Sequence, residues 1–212
     1  MHKLTRGKIK GFLTKYSTDK QVLDIGAGNT EYTDIFPNRT RVDIDPERKP
    51  DIVADIVNLP FKDGSYEVIM CSEIFEHLLE PQKAIEEIKR VLKPGGILIL
   101  TTRFLFPIHD APGDYWRYTP YSLAFLFRDW HIVEIQMESD VFSTIGVLIQ
   151  RIIFQTDVRG GRFTKVILHV ISIIFSKLDW LILKRYGDIK RTTVVNTTFS
   201  SGIYGVFRKQ EY

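Results

Sequence analysis

Cysteine is almost absent from this sequence: Cys71 is the only one among 212 residues. A lone thiol excludes an intramolecular disulfide framework and a cysteine-rich zinc site. The basic N-terminal residues are not followed by an uninterrupted apolar stretch or a small-residue cleavage site, so they do not resemble a secretory signal. We therefore expect a reducing, cytoplasmic setting.

An excess of one charge is also lacking. The chain has 29 basic and 26 acidic residues, a formal net charge of +3, which does not predict a nucleic-acid partner. Hydrophobic residues make up 44% and charged residues 26%, ordinary values that exclude a disordered chain. We interpret the basic N-terminal cluster as the exposed face of a first helix, with contact to an anionic surface as the alternative.

Apolar periodicity predicts alternating helices and strands. We expect an amphipathic helix over residues 3–16, a helical segment over 74–78 and a helix over 81–92 that ends before Pro94-Gly95-Gly96. The predicted strands are residues 22–25, 40–44, 52–53, 67–71, 97–102, 132–137 and 202–207. This alternation predicts an α/β fold, with a doubly wound, mainly parallel seven-stranded sheet and helices on both faces. A ligand crevice is expected at the carboxyl ends of the strands.

A helical insertion is predicted before the last strand, because residues 141–186 contain two long apolar stretches. Within residues 166–183, polar residues recur at helical spacing and predict one apolar helix with a narrow polar stripe: His169, Ser172, Ser176 and Asp179. Lys177 and Asp179 argue against a membrane span. This helix either packs against the sheet or a second chain, or rests on a lipid surface at the inner face of the membrane.

Four segments follow from these patterns. Residues 1–20 form an N-terminal amphipathic helix, 21–140 an α/β core that binds the ligand, 141–190 the apolar insertion, and 191–212 the strand that closes the sheet.

The strongest motif is Val22-Leu23-Asp24-Ile25-Gly26-Ala27-Gly28, a strand that ends in two glycines before a predicted helix near Thr30. Glycines allow a tight turn and close approach of a ligand to the backbone. A dinucleotide fingerprint requires a third glycine at position 31, where this chain has Glu31. A carboxylate there would repel phosphates, so we favour a nucleoside ligand that carries none.

An acid after the second strand fits the same kind of ligand. Asp45 lies 17 residues after Gly28, close to where an acid binds ribose hydroxyls in doubly wound folds. The alternative is that Asp45 only caps the turn before Pro46.

Several further motifs follow in order: Ala54–Phe61, Asp63–Ile69, Glu76-His77-Leu78 and Val91–Gly96. With the glycine turn they resemble the class I S-adenosylmethionine-dependent methyltransferases over roughly residues 20–137. The resemblance implies S-adenosylmethionine as the cofactor. It also implies these roles: Gly26 and Gly28 beside the methionine part, Asp24 near its ammonium, Asp45 at the ribose, Asp55 and the Ile56 backbone at the adenine, Cys71 and Ser72 near the reactive methyl. The family often has a further glycine where this chain has Thr30.

A dense polar and aromatic cluster follows the fifth strand, and we place the acceptor pocket there. His109 is the candidate general base, with Asp110 or Asp114 as alternatives. The candidate acceptor-binding residues are Arg103, Tyr115, Trp116 and Arg117. The alternative is that His109, Asp114 and Arg117 only hold the loop shut, and His77 is interpreted as structural. This segment resembles a subset of these methyltransferases from sugar and cell-surface polysaccharide pathways.

We therefore predict O-methylation of a sugar-containing or other small polar acceptor, including a glycolipid-type one. One alternative is an N-methyltransferase, although the sequence after the fourth strand, Ser72-Glu73-Ile74-Phe75, lacks the prolines typical of that group. Another is a partner subunit that binds the cofactor without catalysis and docks through residues 141–186. Without HExxH or paired cysteines, no metal site is expected, and GxSxG is absent.

Overall fold

The computed structural model describes residues 4–28, 32 and 34–211. Its strands are β1 (Val22–Ile25), β2 (Arg39–Asp43), β3 (Ile52–Val53), β4 (Tyr66–Ser72), β5 (Leu92–Arg103), β6 (His131–Met137) and β7 (Gly202–Arg208). They form one seven-stranded sheet in the order β3-β2-β1-β4-β5-β7-β6. The first five strands in this order are parallel, while β7 runs antiparallel to both β5 and β6. The predicted fold class is confirmed.

The chain reverses its direction of travel across the sheet at β1. In the register, Ile25 at the end of β1 pairs with Val42 of β2 on one side and with Cys71 of β4 on the other. The segments that follow these three strands therefore leave the sheet at the same edge. In a doubly wound sheet this is the place where a ligand crevice opens.

Helices cover both faces of the sheet. They are α1 (Leu4–Thr14), α2 (Pro81–Val91), α3 (Pro120–Leu126), α4 (Val141–Gln155) and α5 (Gly161–Phe175). The buried side of α1 packs in one apolar cluster with Val22 and Met70, whereas α2 and α3 pack in a second cluster with Leu23 and Ile69. Alternate residues of β1 and β4 thus supply opposite faces, as strand geometry requires.

Two local predictions need correction. A helical segment was predicted over residues 74–78, but this part of the chain has a single 3₁₀ turn, Phe75–His77, and the backbone is extended from Leu78. α3 was not predicted, although it begins with a capping box between Thr119 and Ser122 and with Pro120 at its first position. The helix expected near Thr30 lies outside the described residues.

The helix predicted over residues 166–183 is confirmed only as far as Phe175. α4 and α5 form an antiparallel pair joined by a short turn, and α5 ends at Phe175. Asp179 lies beyond that end and accepts hydrogen bonds from the backbone N–H groups of Phe142 and Ser143, so it caps α4 instead of continuing α5.

The polar stripe of α5 faces inward. Ser172 is fully buried, and a Cβ at Gly146 of α4 would lie only 2.6 Å from the Ser172 carbonyl oxygen. The apolar side of α5 is exposed: Phe163, Val166, Ile167, Val170 and Ile174. None of the helices in the described part of the chain has both the length and the apolar character needed to cross a membrane.

Candidate functional site

A crevice of about 370 Å³ lies where β1, β2 and β4 end. The residues on its wall that matter below are Gly26, Asp43, Asp55, Ile56, His77 and Tyr115. They come from five separate segments of the chain, which the parallel sheet brings to one edge. Its position matches the ligand crevice expected from the sequence.

The turn after β1 requires glycine at two positions. Gly26 has φ +68° and Gly28 has φ +49°, values in the left-handed region that other residues rarely adopt. A Cβ at Gly26 would also lie 2.0 Å from Cδ1 of Ile74. The Gly26 N–H donates to the Val42 carbonyl at 2.8 Å, which ties the turn to β2.

The acid at the crevice is Asp43, not Asp45. Asp43 ends β2, lines the crevice and accepts hydrogen bonds from the N–H groups of Gly28 at 2.9 Å and Asp45 at 3.0 Å. Asp45 caps the 3₁₀ turn Pro46–Arg48: it accepts from the Glu47 N–H at 2.9 Å and lies 3.4 Å from Arg48. The alternative stated for Asp45, a cap before Pro46, is the arrangement found.

The structure brings Asp55 and Ile56 to the crevice wall, as expected from the sequence. Asp55 is exposed, and its Oδ1 accepts a hydrogen bond from the Val57 N–H at 3.2 Å. The Ile56 side chain is buried in the core, so this residue can offer its backbone to a ligand.

The side chains of Asp24, Cys71 and Ser72 are engaged elsewhere. Asp24 is 1% exposed and forms an ion pair with Arg39 at 2.9 Å; burial raises the pKa of Asp24 to about 7 although the guanidinium opposes the shift. Cys71 is fully buried in the core, which raises the pKa of its thiol. Ser72 Oγ lies 3.0 Å from Oγ1 of Thr101. Central strands bury both of their faces, so these side chains pack within the sheet instead of facing the crevice.

In the loop after β5, Asp114 and Arg117 form a closed network. Arg117 donates to both carboxylate oxygens of Asp114, at 2.6 and 2.7 Å, and also to the carbonyls of Phe106 and Pro107 at 3.1 Å. The same carboxylate accepts the His109 backbone N–H at 2.9 Å. The Arg117 guanidinium holds the pKa of Asp114 far below its usual range. This is the loop-holding arrangement stated as the alternative, and it occupies the groups that Arg117 would need to bind an acceptor.

Arg103 does not reach the crevice, so its expected contact with an acceptor needs correction. Its side chain is 7% exposed and forms ion pairs with Glu73 and with Glu138, the latter at 3.1 Å. A buried guanidinium is costly unless carboxylates pair with it. Arg103, at the end of β5, lies between Glu73 and Glu138 and pairs with both.

Tyr115 and Trp116 are the exposed aromatic residues of the loop. Tyr115 is 47% exposed and lines the crevice, while Trp116 is 44% exposed and donates its indole N–H to the Leu78 carbonyl at 2.7 Å. Both backbone N–H groups donate to the Glu76 carbonyl, at 2.9 and 3.1 Å. The loop is therefore fastened to the segment that follows β4.

These contacts bring together a cluster that was not predicted from the sequence: Glu76, His77 and His109. Glu76 is fully buried, and its Oε1 lies 3.9 Å from Nε2 of His109. The two imidazole rings are in edge contact, with centroids 4.9 Å apart. Burial raises the pKa of Glu76 and lowers the pKa of His109. One indication of this cluster was present in the sequence: an acid and a histidine, Glu76 and His77, are adjacent just after β4.

Comparison with known proteins shows similarity to methyltransferases over part of the chain. Residues 23–100 match a family model described as a methyltransferase domain. The chain is 33% identical over 123 residues to a demethylmenaquinone methyltransferase of Paenarthrobacter aurescens, a match covering 50% of this chain and 47% of that protein. It is 30% identical over 107 residues to a tRNA (carboxymethyluridine(34)-5-O)-methyltransferase of Arabidopsis thaliana, covering 44% and 26%. The chain thus spans less than half the length of these curated relatives.

The fold has known counterparts as well. The structure of the [4+2]-cyclase SpnF superposes with a TM-score of 0.61 at 17% identity, covering 98% of this chain and 82% of that one. At this identity the likeness concerns the fold alone. The match over residues 23–100 identifies that part of the chain as similar to a methyltransferase domain, and it includes the glycine turn and the crevice residues Asp43 and Asp55.

Proposed function

We propose that this chain transfers the methyl group of S-adenosylmethionine to an oxygen atom of a small polar acceptor. The observation that carries the proposal is the composition of the crevice. Its wall combines the glycine turn and Asp43 with His77 and Tyr115. We place the reactive methyl near His77, which lines the crevice, and His109 contacts the His77 ring.

Each part of the cofactor has a proposed partner. The hydroxyls of the ribose pair with the carboxylate of Asp43, which keeps free lone pairs after accepting two N–H groups. The adenine lies against Asp55 and the Ile56 backbone, and the methionine part lies beside Gly26 and Gly28. Asp24, held by Arg39, acts on the cofactor only through the shape of β1.

Methyl transfer from a sulfonium needs alignment and exclusion of water more than covalent catalysis, because the leaving thioether is neutral. A hydroxyl acceptor must also lose its proton. His109 is the proposed base: burial lowers its pKa, so the imidazole is neutral and able to accept a proton near pH 7. Asp114 positions His109 and does not itself accept the proton, because Arg117 keeps it ionised.

The acceptor is proposed to be a sugar-containing or other small polar molecule, including a glycolipid-type one. Tyr115 and Trp116 expose aromatic surface next to the crevice, and such surface packs well on the apolar face of a sugar ring or another flat group. The two relatives are named for different acceptors, demethylmenaquinone and tRNA, so their names do not decide the acceptor class. The proposed acceptor class therefore rests on the exposed aromatic residues of the loop.

The test is transfer of a labelled methyl group by the purified chain to a panel of hydroxyl acceptors. We expect turnover to fall about 100-fold or more in His109→Asn, the usual contribution of a general base. His131→Asn is the matched control, because His131 is exposed on β6. Transfer that is equal in both variants would contradict the role of His109, and absence of transfer to every acceptor despite cofactor binding would favour a non-catalytic subunit.

We further propose that α5 rests on an anionic membrane surface. Its exposed face includes Phe163, 74% exposed, and Trp180 in the 3₁₀ turn that follows the helix is 75% exposed. Exposed basic residues flank it: Arg159, Arg162, Lys177 and Lys184. An apolar face with a Trp and flanking cations is the pattern of an interfacial helix.

Flotation with vesicles tests this contact. We expect the chain to float with vesicles that contain phosphatidylglycerol, and to lose this in Phe163→Asp/Trp180→Asp. Phe125→Asp is the control, since Phe125 is 67% exposed on α3. If the chain instead sediments as a dimer that the double substitution dissociates, and does not float, the face mediates self-association and the membrane proposal is wrong.

A further inference from the structure

We propose that Glu76, His77 and His109 bind a divalent first-row transition metal ion beside the cofactor crevice, and that this ion binds the acceptor oxygen. The second half rests on the proposed methyl transfer, whereas the metal site stands on geometry alone. One ligand atom from each of the three residues lies within 4.8 Å of the other two.

The spacing suits a metal ion. Nε2 of His109 and Oε1 of Glu76 are 3.9 Å apart. Metal bonds to imidazole nitrogen and carboxylate oxygen are about 2.0–2.2 Å long, so two ligands of one ion lie up to about 4.3 Å apart. The cluster therefore needs only a small inward movement to enclose an ion.

The buried carboxylate lacks a partner for one oxygen. Glu76 is fully buried, Oε2 accepts a hydrogen bond from Thr102 at 2.7 Å, and Oε1 has no hydrogen-bond partner among the described residues. A buried carboxylate oxygen without a partner is costly and calls for a proton or a cation. A metal ion facing Oε1 satisfies it.

Both histidines have a second group behind the ring. Nδ1 of His77 donates to the Gly113 carbonyl at 2.5 Å, and Nδ1 of His109 lies 3.3 Å from Oδ2 of Asp114. The carbonyl fixes the tautomer of His77 and leaves its Nε2 free to bind, as in metal-binding histidines. Nδ1 of His109 has no hydrogen-bond partner among the described residues, so the Asp114 carboxylate lies near this ring without fixing its tautomer.

The donor set decides the class of ion. Two imidazole nitrogens and one carboxylate oxygen suit Zn²⁺, Mn²⁺, Fe²⁺ or Co²⁺, whereas Mg²⁺ and Ca²⁺ prefer oxygen alone. Catalytic zinc sites have three protein ligands and keep a further coordination position open. The same arrangement here leaves a position for an acceptor hydroxyl.

In the reaction, the ion lowers the pKa of the bound hydroxyl, and its proton leaves to solvent. The oxygen then forms a bond to the methyl carbon as the carbon–sulfur bond breaks, and that electron pair stays on the neutral thioether. With the ion bound, Nε2 of His109 is a ligand and the ion takes over activation of the hydroxyl; the base role proposed above for His109 then applies to the metal-free chain alone. No short motif predicts this site, since two ligands follow β4 and the third lies in the loop after β5.

The test is binding of Zn²⁺ by calorimetry, and of Co²⁺ by visible absorption, to the chelator-treated chain without cofactor. We expect one ion per chain, and at least tenfold weaker binding in each of His77→Asn, His109→Asn and Glu76→Gln. His131→Asn should bind as the unmodified chain does. Circular dichroism identifies folded variants; the two loop-side histidine substitutions suffice if Glu76→Gln does not fold.

The metal site is overturned if the folded chain binds no stoichiometric ion, or if His77→Asn and His109→Asn bind as tightly as His131→Asn. Titration of the same metal-free chain with S-adenosylmethionine separates the two proposals. Cofactor binding without Zn²⁺ binding removes the metal site alone, and Zn²⁺ binding without cofactor binding removes the proposed methyl transfer alone.

Discussion

The backbone N–H of Gly28 donates a hydrogen bond to Oδ2 of Asp43 at 2.9 Å, which joins the turn after β1 to the end of β2. The same carboxylate accepts the Asp45 N–H through its other oxygen. A single side chain thus shapes the glycine turn and lines the crevice.

Asp43→Asn is therefore expected to weaken binding of S-adenosylmethionine at least tenfold. Hydrogen bonds to a charged group contribute about 1.5–3 kcal/mol, and 1.4 kcal/mol corresponds to a factor of ten. Asp45→Asn should change the dissociation constant less than about threefold, because Asp45 only caps the following turn. Calorimetric titration measures both, and the reverse order of effects would restore Asp45 as the residue at the ribose.

Gly26→Ala is expected to lower the melting temperature and abolish cofactor binding, because its Cβ would meet Ile74 and its φ is positive. Gly11→Ala is the matched control: Gly11 lies within α1, and a Cβ there meets nothing within 4 Å. Ala is favoured over Gly in helices by about 1 kcal/mol, so this control should melt about 2–4 °C higher. Equal behaviour of the two variants would show that the turn does not need glycine at position 26.

Asp24 should make the protein less stable as pH rises. Its pKa is raised to about 7 by burial, so the folded state keeps a proton that the unfolded chain releases above about pH 4. The stabilising contribution is complete at low pH and lost as pH rises through 7. We expect the free energy of unfolding, relative to Asp24→Asn, to fall by about 1.4 kcal/mol per pH unit between pH 5 and 7.

Urea unfolding of both proteins at several pH values measures this difference, and groups common to both cancel. A difference that stays constant from pH 5 to 8 would mean that Asp24 is ionised throughout and that the ion pair with Arg39 outweighs desolvation.

Arg117→Lys is expected to loosen the loop after β5. Lysine cannot form the paired bonds to Asp114 and also reach the carbonyls of Phe106 and Pro107. Limited proteolysis should cut this loop faster, and Trp116 fluorescence should shift. Arg128→Lys is the control, because Arg128 is exposed and hydrogen-bonds to Phe125 of its own turn. A loop equally resistant in both variants would show that Arg117 does not hold it.

The sheet was predictable because its strands are short apolar runs separated by turns and helices, a signal that is local in sequence. The glycine turn was predictable for the same reason. Asp45 was predicted at the ligand, whereas Asp43 lines the crevice. The error came from the predicted end of the strand, which was residue 44, while β2 ends at Asp43. Asp45 before Pro46 was itself a turn signal, and its cap was the alternative left open.

The parts that were missed depend on contacts between distant segments. Arg103 could not be placed from sequence because its partners, Glu73 and Glu138, lie about 30 residues away on either side. The polar stripe of α5 correctly indicated a helix, but not that Ser172 would face α4 and leave the apolar side exposed. The grouping of Glu76 and His77 with His109 likewise exists only after the loop folds back.

The central claim is that the crevice beside Gly26, Asp43 and Asp55 binds an adenosyl sulfonium, and calorimetric titration of the purified chain tests it most directly. We expect one saturable site for S-adenosylmethionine, competition by S-adenosylhomocysteine, and no heat of binding with NAD. A folded chain that fails to bind S-adenosylmethionine, or that binds NAD as tightly, would contradict the account.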